Sequence, residues 1–158
     1  MTITDQIAKN LKAFYAGENW TSSDLKSQLS GVTWQQAVTK IDSFNTIASL
    51  VYHINYYVVA VSNVLRGTPL ESHNKYSFDV PSIQSAEEWD FLVKKVFDDA
   101  EVLAGLILQL PEADLWKTFV DKKNGNYYEN IAGVIEHNYY HLGQIVILKK
   151  MLRQENAK

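Results

Sequence analysis

The residues best suited to chemistry in this chain are three histidines carried by two segments. Ile135-Glu136-His137-Asn138-Tyr139-Tyr140-His141-Leu142-Gly143-Gln144 sets two of them four apart, and Val51-Tyr52-His53-Ile54-Asn55-Tyr56-Tyr57 carries the third. Both segments are patterned as helices. Residues i and i+4 of a helix lie one above the other on the same face, so His137 and His141 can reach a single ion. Two ligands from one helix need at least a third from elsewhere. His53 is the candidate, because it lies mid-helix in apolar surroundings where an unpaired imidazole is costly to desolvate. Three neutral imidazoles around a divalent cation leave a positive centre with open positions. Such a centre can lower the pKa of a bound water towards neutrality or bind and deprotonate a thiol, so the same ion supports hydrolysis or thiol transfer.

The neighbours of the histidines narrow the chemistry. Asn130, Gly133, His137, His141 and Gln144 follow one another in steps of three or four and form a polar, small stripe beside an apolar seam. Gly133 costs on the order of 1 kcal/mol against Ala inside a helix, which suggests room kept for an ion or ligand near His137. Thr46, Ser49, His53 and Tyr57 form the matching line on the other helix, and two such lines facing each other would enclose a cavity. Asn138 rather than Glu follows His137, so the general base of an H-E-x-x-H protease is missing. Glu136 is turned about 100° away from His137 and is not assigned as a base. Gln144 shares the histidine face and is neutral, which suits support of a ligand or orientation of a substrate. Tyr57, Asn130 and Tyr140 are weaker pocket candidates. Asp98, Asp99 and Glu101 can either support a histidine through its second nitrogen or form a solvated face. His73, in the polar run Glu71-Ser72-His73-Asn74, is read as a solvated loop residue. Tyr56, Tyr57, Tyr139 and Tyr140 are read mainly as filling a core or a dimer interface.

The elements that must position these side chains are helical. Thr2 or Thr4 can cap a first helix to about Tyr15, with Ile7, Leu11 and Phe14 as its apolar stripe and Gly17 at its end. Residues 20–40 carry one or two short helices in a lid-like crossover, with Ser23 or Asp24 ahead of Leu25 and Thr33 ahead of Trp34. From about Asp42 to Arg66, Ile47, Val51, Ile54, Val58, Val61 and Leu65 recur in steps of four and three until Gly67-Thr68-Pro69 stops the run. Residues 70–84 are polar and irregular. Ser85-Ala86-Glu87-Glu88 reads as a capping box for a third long helix ending near Leu110, before Pro111. Asn124-Gly125 between Trp116–Val120 and Tyr127-Tyr128 signals a small hairpin. The last helix is expected from about Glu129 to Gln154, along Val134, Asn138, His141, Ile145, Leu148 and Leu152. The expectation is a single all-α domain over residues 1–158, a four-helix bundle with a long crossover between its first two long helices and a small β-hairpin before the last.

Composition bounds the partners. The formal charge is −3, from 15 basic and 18 acidic residues, so no broad cationic surface is available to grip phosphate backbones and nucleic acid is not an expected partner. Lys149-Lys150-Met151-Leu152-Arg153 is read as positive charge complementing the end of the last helix. No apolar run approaches the roughly 20 residues of a membrane span and Met1–Asp5 lacks a signal-peptide layout, so no membrane partner and a cytoplasmic location are expected. The sequence has no cysteine, so any metal site must use nitrogen and oxygen.

With His53 on the second long helix and His137, His141, Gly143 and Gln144 reproducing an H-x-x-x-H-x-G-Q pattern on the last, the chain resembles the DinB-like (DinB/YfiT) superfamily of metal-binding four-helix bundles. The likeness runs over nearly the whole chain in helix order and loop placement, but only these two segments are strongly diagnostic. The resemblance implies that His53, His137 and His141 bind one divalent ion per chain, zinc or nickel. It further implies a metal-dependent hydrolase or a thiol S-transferase acting on a small molecule such as a low-molecular-weight thiol, and a homodimer. The alternative is a non-catalytic, stress-related binding protein in which the metal is structural or sensory. A third reading is a vestigial site on a chain that only dimerises.

Overall fold

The structure is a computed structural model and describes residues 1–155. It is all-α: six α-helices, three short 3-10 turns and, among the described residues, no β-strand. Helix α1 spans Ile3–Tyr15 and opens on a complete capping box, with the Thr2 hydroxyl accepting from the Asp5 amide and the Asp5 carboxylate accepting from Thr2. Its Ile7, Leu11 and Phe14 stripe is buried. Helix α2 (Leu25–Leu29) starts on Asp24, one of its two expected caps, and α3 (Trp34–Val38) starts on the expected Thr33.

Helix α4 spans Ile47–Leu65 and begins on Thr46, four residues inside the expected start, because Asp42 adopts a positive φ of 46° that a helix cannot contain. Helix α5 covers Ala86–Gln109 and ends ahead of Pro111. The Ser85 hydroxyl accepts from the Glu88 amide as expected, but the Glu88 carboxylate reaches the amide of Gln84 rather than that of Ser85. Helix α6 covers Tyr127–Glu155.

The four long helices share one apolar interior: α1 and α4 each pack on both α5 and α6. Leu11 and Phe14, Val51 and Ile54, Leu103 and Ile107, and Ile131 and Ile145 are all fully buried there. Burial on this scale stabilises by about 1.5–3 kcal/mol per large side chain before chain entropy is charged against it. By length and composition α4 is long and apolar enough to cross a membrane, in contrast to the expectation that no run approaches a span, yet 72% of that stretch is buried inside the protein.

The crossover is tied down by two polar anchors. The Trp89 indole N–H donates to the carbonyl of Val32. Lys149, expected to complement the end of the last helix, is buried and donates to the carbonyls of Ser27, Gln28 and Ser30 where α2 ends. It thereby satisfies acceptors that a short helix leaves open.

The hairpin expected before the last helix is reduced to an isolated bridge between Thr118 and Asn126. Asp121 accepts from the amides of Lys123 and Asn124 and winds the tip into a 3-10 turn, which leaves too few residues to pair as strands. Gly125 is required there: its φ is 70°, and a Cβ would lie 2.1 Å from the Glu129 carboxylate that caps the start of α6.

Candidate metal centre

His53 from α4 and His137 and His141 from α6 converge. One ring nitrogen of each lies within 4.8 Å of the other two. The Nε2 of His137 is 3.0 Å from the Nε2 of His53 and 3.0 Å from that of His141. Bonds of about 2.0–2.1 Å in tetrahedral array place ligand nitrogens about 3.3 Å apart, so zinc would need the two 3.0 Å pairs to open slightly and the wider His53–His141 pair, within 4.8 Å, to close by side-chain rotation. The donor set therefore fits a divalent ion.

Two of the rings are oriented from behind. The Nδ1 of His53 is 3.2 Å from the carbonyl of Ser77, which can only accept, so the proton belongs on Nδ1 and the Nε2 lone pair faces the cluster. The Nδ1 of His141 is 2.7 Å from Oε1 of Gln144 and is fixed in the same way. Gln144 therefore stands behind the His141 ring, and its amide nitrogen is 3.4 Å from the Tyr140 hydroxyl. His137 differs: its Nδ1 is buried without a hydrogen-bond partner, as is the Oδ1 of the neighbouring Asn138. The Asn138 amide still lies close enough to favour the protonated form of His137.

Electrostatics favour neutral rings. Burial, then the charge of His141, holds His53 down at about 4. Burial, then the charges of His141 and His53, does the same to His137, and burial lowers His141. At neutral pH the cluster is three uncharged imidazoles, and the lone pairs brought together at one point are relieved by a cation there.

Aromatic rings form the walls. Phe78 stacks on His53 with centroids 3.7 Å apart and planes 8° from parallel. Tyr57 meets His53 and His137 edge-on, at 5.2 and 4.8 Å. Tyr140 lies beside His141 at 4.9 Å but is 66% exposed. Asn130 is largely committed elsewhere, its amide nitrogen donating to the carbonyls of Asn124 and Asn126, although it also lines a cleft that ends on His137. The facing lines expected to enclose a cavity do so only partly, because Thr46 and Ser49 bond to each other and to the start of α4.

The acidic residues of α5 do not support the histidines. Asp98 pairs with Lys94, Glu101 with Lys12, and Asp99 with Lys95 and the amide of Asn55. Their positions on α5 direct them to neighbours along the helix, to α1 and to the opposite side of α4. His73 is exposed, and its backbone is pinned to α4 by the Tyr56 hydroxyl. That pin helps lay residues 73–80 over the cluster.

Sequence reasoning missed Ser77, Phe78 and Asn138 as parts of the site. The first two lie in an irregular segment with no periodicity to follow, and Asn138 was assigned only to the apolar seam. No protein-family profile, curated protein or solved structure matches this chain significantly.

Proposed function

We propose that this chain is a metal-dependent enzyme acting on a small molecule, a hydrolase or a thiol S-transferase, built as a DinB-like four-helix bundle. The observation that carries the reading is the convergence of three Nε2 atoms, two of them with lone pairs aimed inward by acceptors behind their rings. His53, His137 and His141 would hold one divalent ion, zinc or nickel. Bound there, the ion supplies a Lewis-acidic, positive centre suited to hydrolysis or to thiol transfer. The chain's own residues do the rest. The Ser77 carbonyl and Gln144 fix ring tautomers, and Phe78 and Tyr57 shield the cluster from water on two sides.

One observation favours the second reading, in which the ion is structural or sensory. His53 and His141 are only 5% and 6% exposed, which suits a closed site. Metal analysis of untagged protein beside the His137→Ala/His141→Ala double variant tests metal binding itself. About one ion per parent chain and none in the variant is the expected result, and an empty parent after incubation with zinc or nickel overturns both readings. Metal-dependent turnover of thiol acceptors or activated esters then separates the enzyme from the structural site.

A further inference from the structure

A cleft of about 340 Å³ leads away from His137 along α6. Its volume falls within the range of small-molecule sites. Tyr57 and Val61 of α4, Leu70 and Phe119 from the two connections, and Val134 of α6 make most of its wall apolar. His137 stands at one end, and Glu129 and Asn130 stand two turns earlier at the other. Glu129 lies eight positions before His137 on α6, about 12 Å along the axis.

Between the ends lies Gly133. A Cβ there would meet nothing within 4 Å. No close packing therefore demands a glycine, while its backbone freedom lowers helix stability. An open wall at that point keeps the cleft continuous with the histidine end. Glu129 is the one charged residue among those lining the cleft. Its Oε2 accepts from the Asn126 amide, and the side chain is exposed at that end. The Asn130 amide nitrogen is already donating to two carbonyls, so that end offers acceptors more than donors.

We infer that this cleft is the substrate site of the proposed metal centre, and that it takes an extended small molecule with an apolar body, a metal-binding group at His137 and a cationic amine at Glu129. The inference rests on the metal reading. It selects against anionic ligands, because no lining cation would balance a second negative charge beside Glu129.

Calorimetry of zinc-loaded protein with hydroxamates of different tails tests it. 6-Phenylhexanohydroxamate should bind at least about tenfold tighter than acetohydroxamate, the least that several buried methylenes and a ring should contribute. Gly133→Phe, which fills the cleft, should abolish that advantage and leave acetohydroxamate unchanged, while Gly133→Ala keeps it. 8-Aminooctanohydroxamate should bind about two- to fivefold tighter than its 8-hydroxy analogue, as a partly exposed ion pair allows. Glu129→Gln, which preserves the helix cap, should erase that difference. Equal affinities for long and short tails on zinc-loaded parent protein, or equal weakening of both by Gly133→Phe, overturn the cleft assignment alone. Failure of the parent to take up zinc overturns the metal reading and this inference with it.

Discussion

Replacing Gln144 with Leu should weaken zinc binding without unfolding the protein. His141 is 6% exposed, and its Nδ1 is 2.7 Å from Oε1 of Gln144. With an ion on Nε2 the ring must carry its proton on Nδ1, so deleting the acceptor strands a buried N–H. Stranding such a donor costs about 1–3 kcal/mol. The metal-free protein escapes this penalty. Its His141 can move the proton to Nε2 and donate to the Nε2 of His137, 3.0 Å away. The penalty therefore falls on the loaded form and appears as affinity, roughly five- to 150-fold weaker binding. Competition for zinc against a chromophoric chelator measures it, with urea unfolding of the metal-free protein as the control. Gln144→Glu keeps an acceptor and should retain the affinity or raise it. An affinity within twofold of the parent in Gln144→Leu, or equal losses in the Leu and Glu variants, would show that Gln144 does not position His141.

Other consequences follow from the same geometry. His53 and His137 are held near 4 against an ordinary 6.5, so between those values the unfolded chain binds protons that the folded chain refuses. Metal-free protein should keep this contribution in full above about pH 6.5 and lose it progressively as pH falls towards 4. Urea midpoints that do not change between pH 7 and 5 would contradict the burial of these rings, and His137→Gln should flatten the slope. Phe78→Ala removes the stacked face of His53; a ring contact of this kind contributes about 0.5–1.5 kcal/mol, so zinc affinity should fall about two- to tenfold in the same competition assay. Unchanged affinity would mean that the stack plays no part in holding the ring. Lys149→Met should destabilise by about 1–3 kcal/mol despite its greater hydrophobicity, because carbonyls of Ser27, Gln28 and Ser30 lose their donor. A neutral or stabilising result in urea unfolding would show that water satisfies them equally well.

What the sequence determined by itself is local and periodic. Side-chain oxygens at Thr33 and Ser85, and at one of Thr2 or Thr4 and of Ser23 or Asp24, mark helix starts because capping needs only the next three residues; the structure takes Thr2 and Asp24. The row Val134, Asn138, His141, Ile145, Leu148 and Leu152 is legible because helical period alone puts those positions on one face, and all six are buried. His137 and His141 are paired by the same rule. Where non-local contacts or backbone strain decided, the sequence was insufficient. Asp42 delays the start of α4 through one positive φ, and Asp121 turns an expected hairpin into a 3-10 tip.

Only the tertiary structure brought His53 to within 3.0 Å of His137, across 84 residues of chain. It also laid the aperiodic segment carrying Ser77 and Phe78 over that ring, sent the acids of α5 away from it, and opened a cleft beside Gly133. Periodicity specifies which face of a helix turns inward. What meets that face depends on how the helices pack and where their connections cross, and those depend on contacts between residues far apart in the chain.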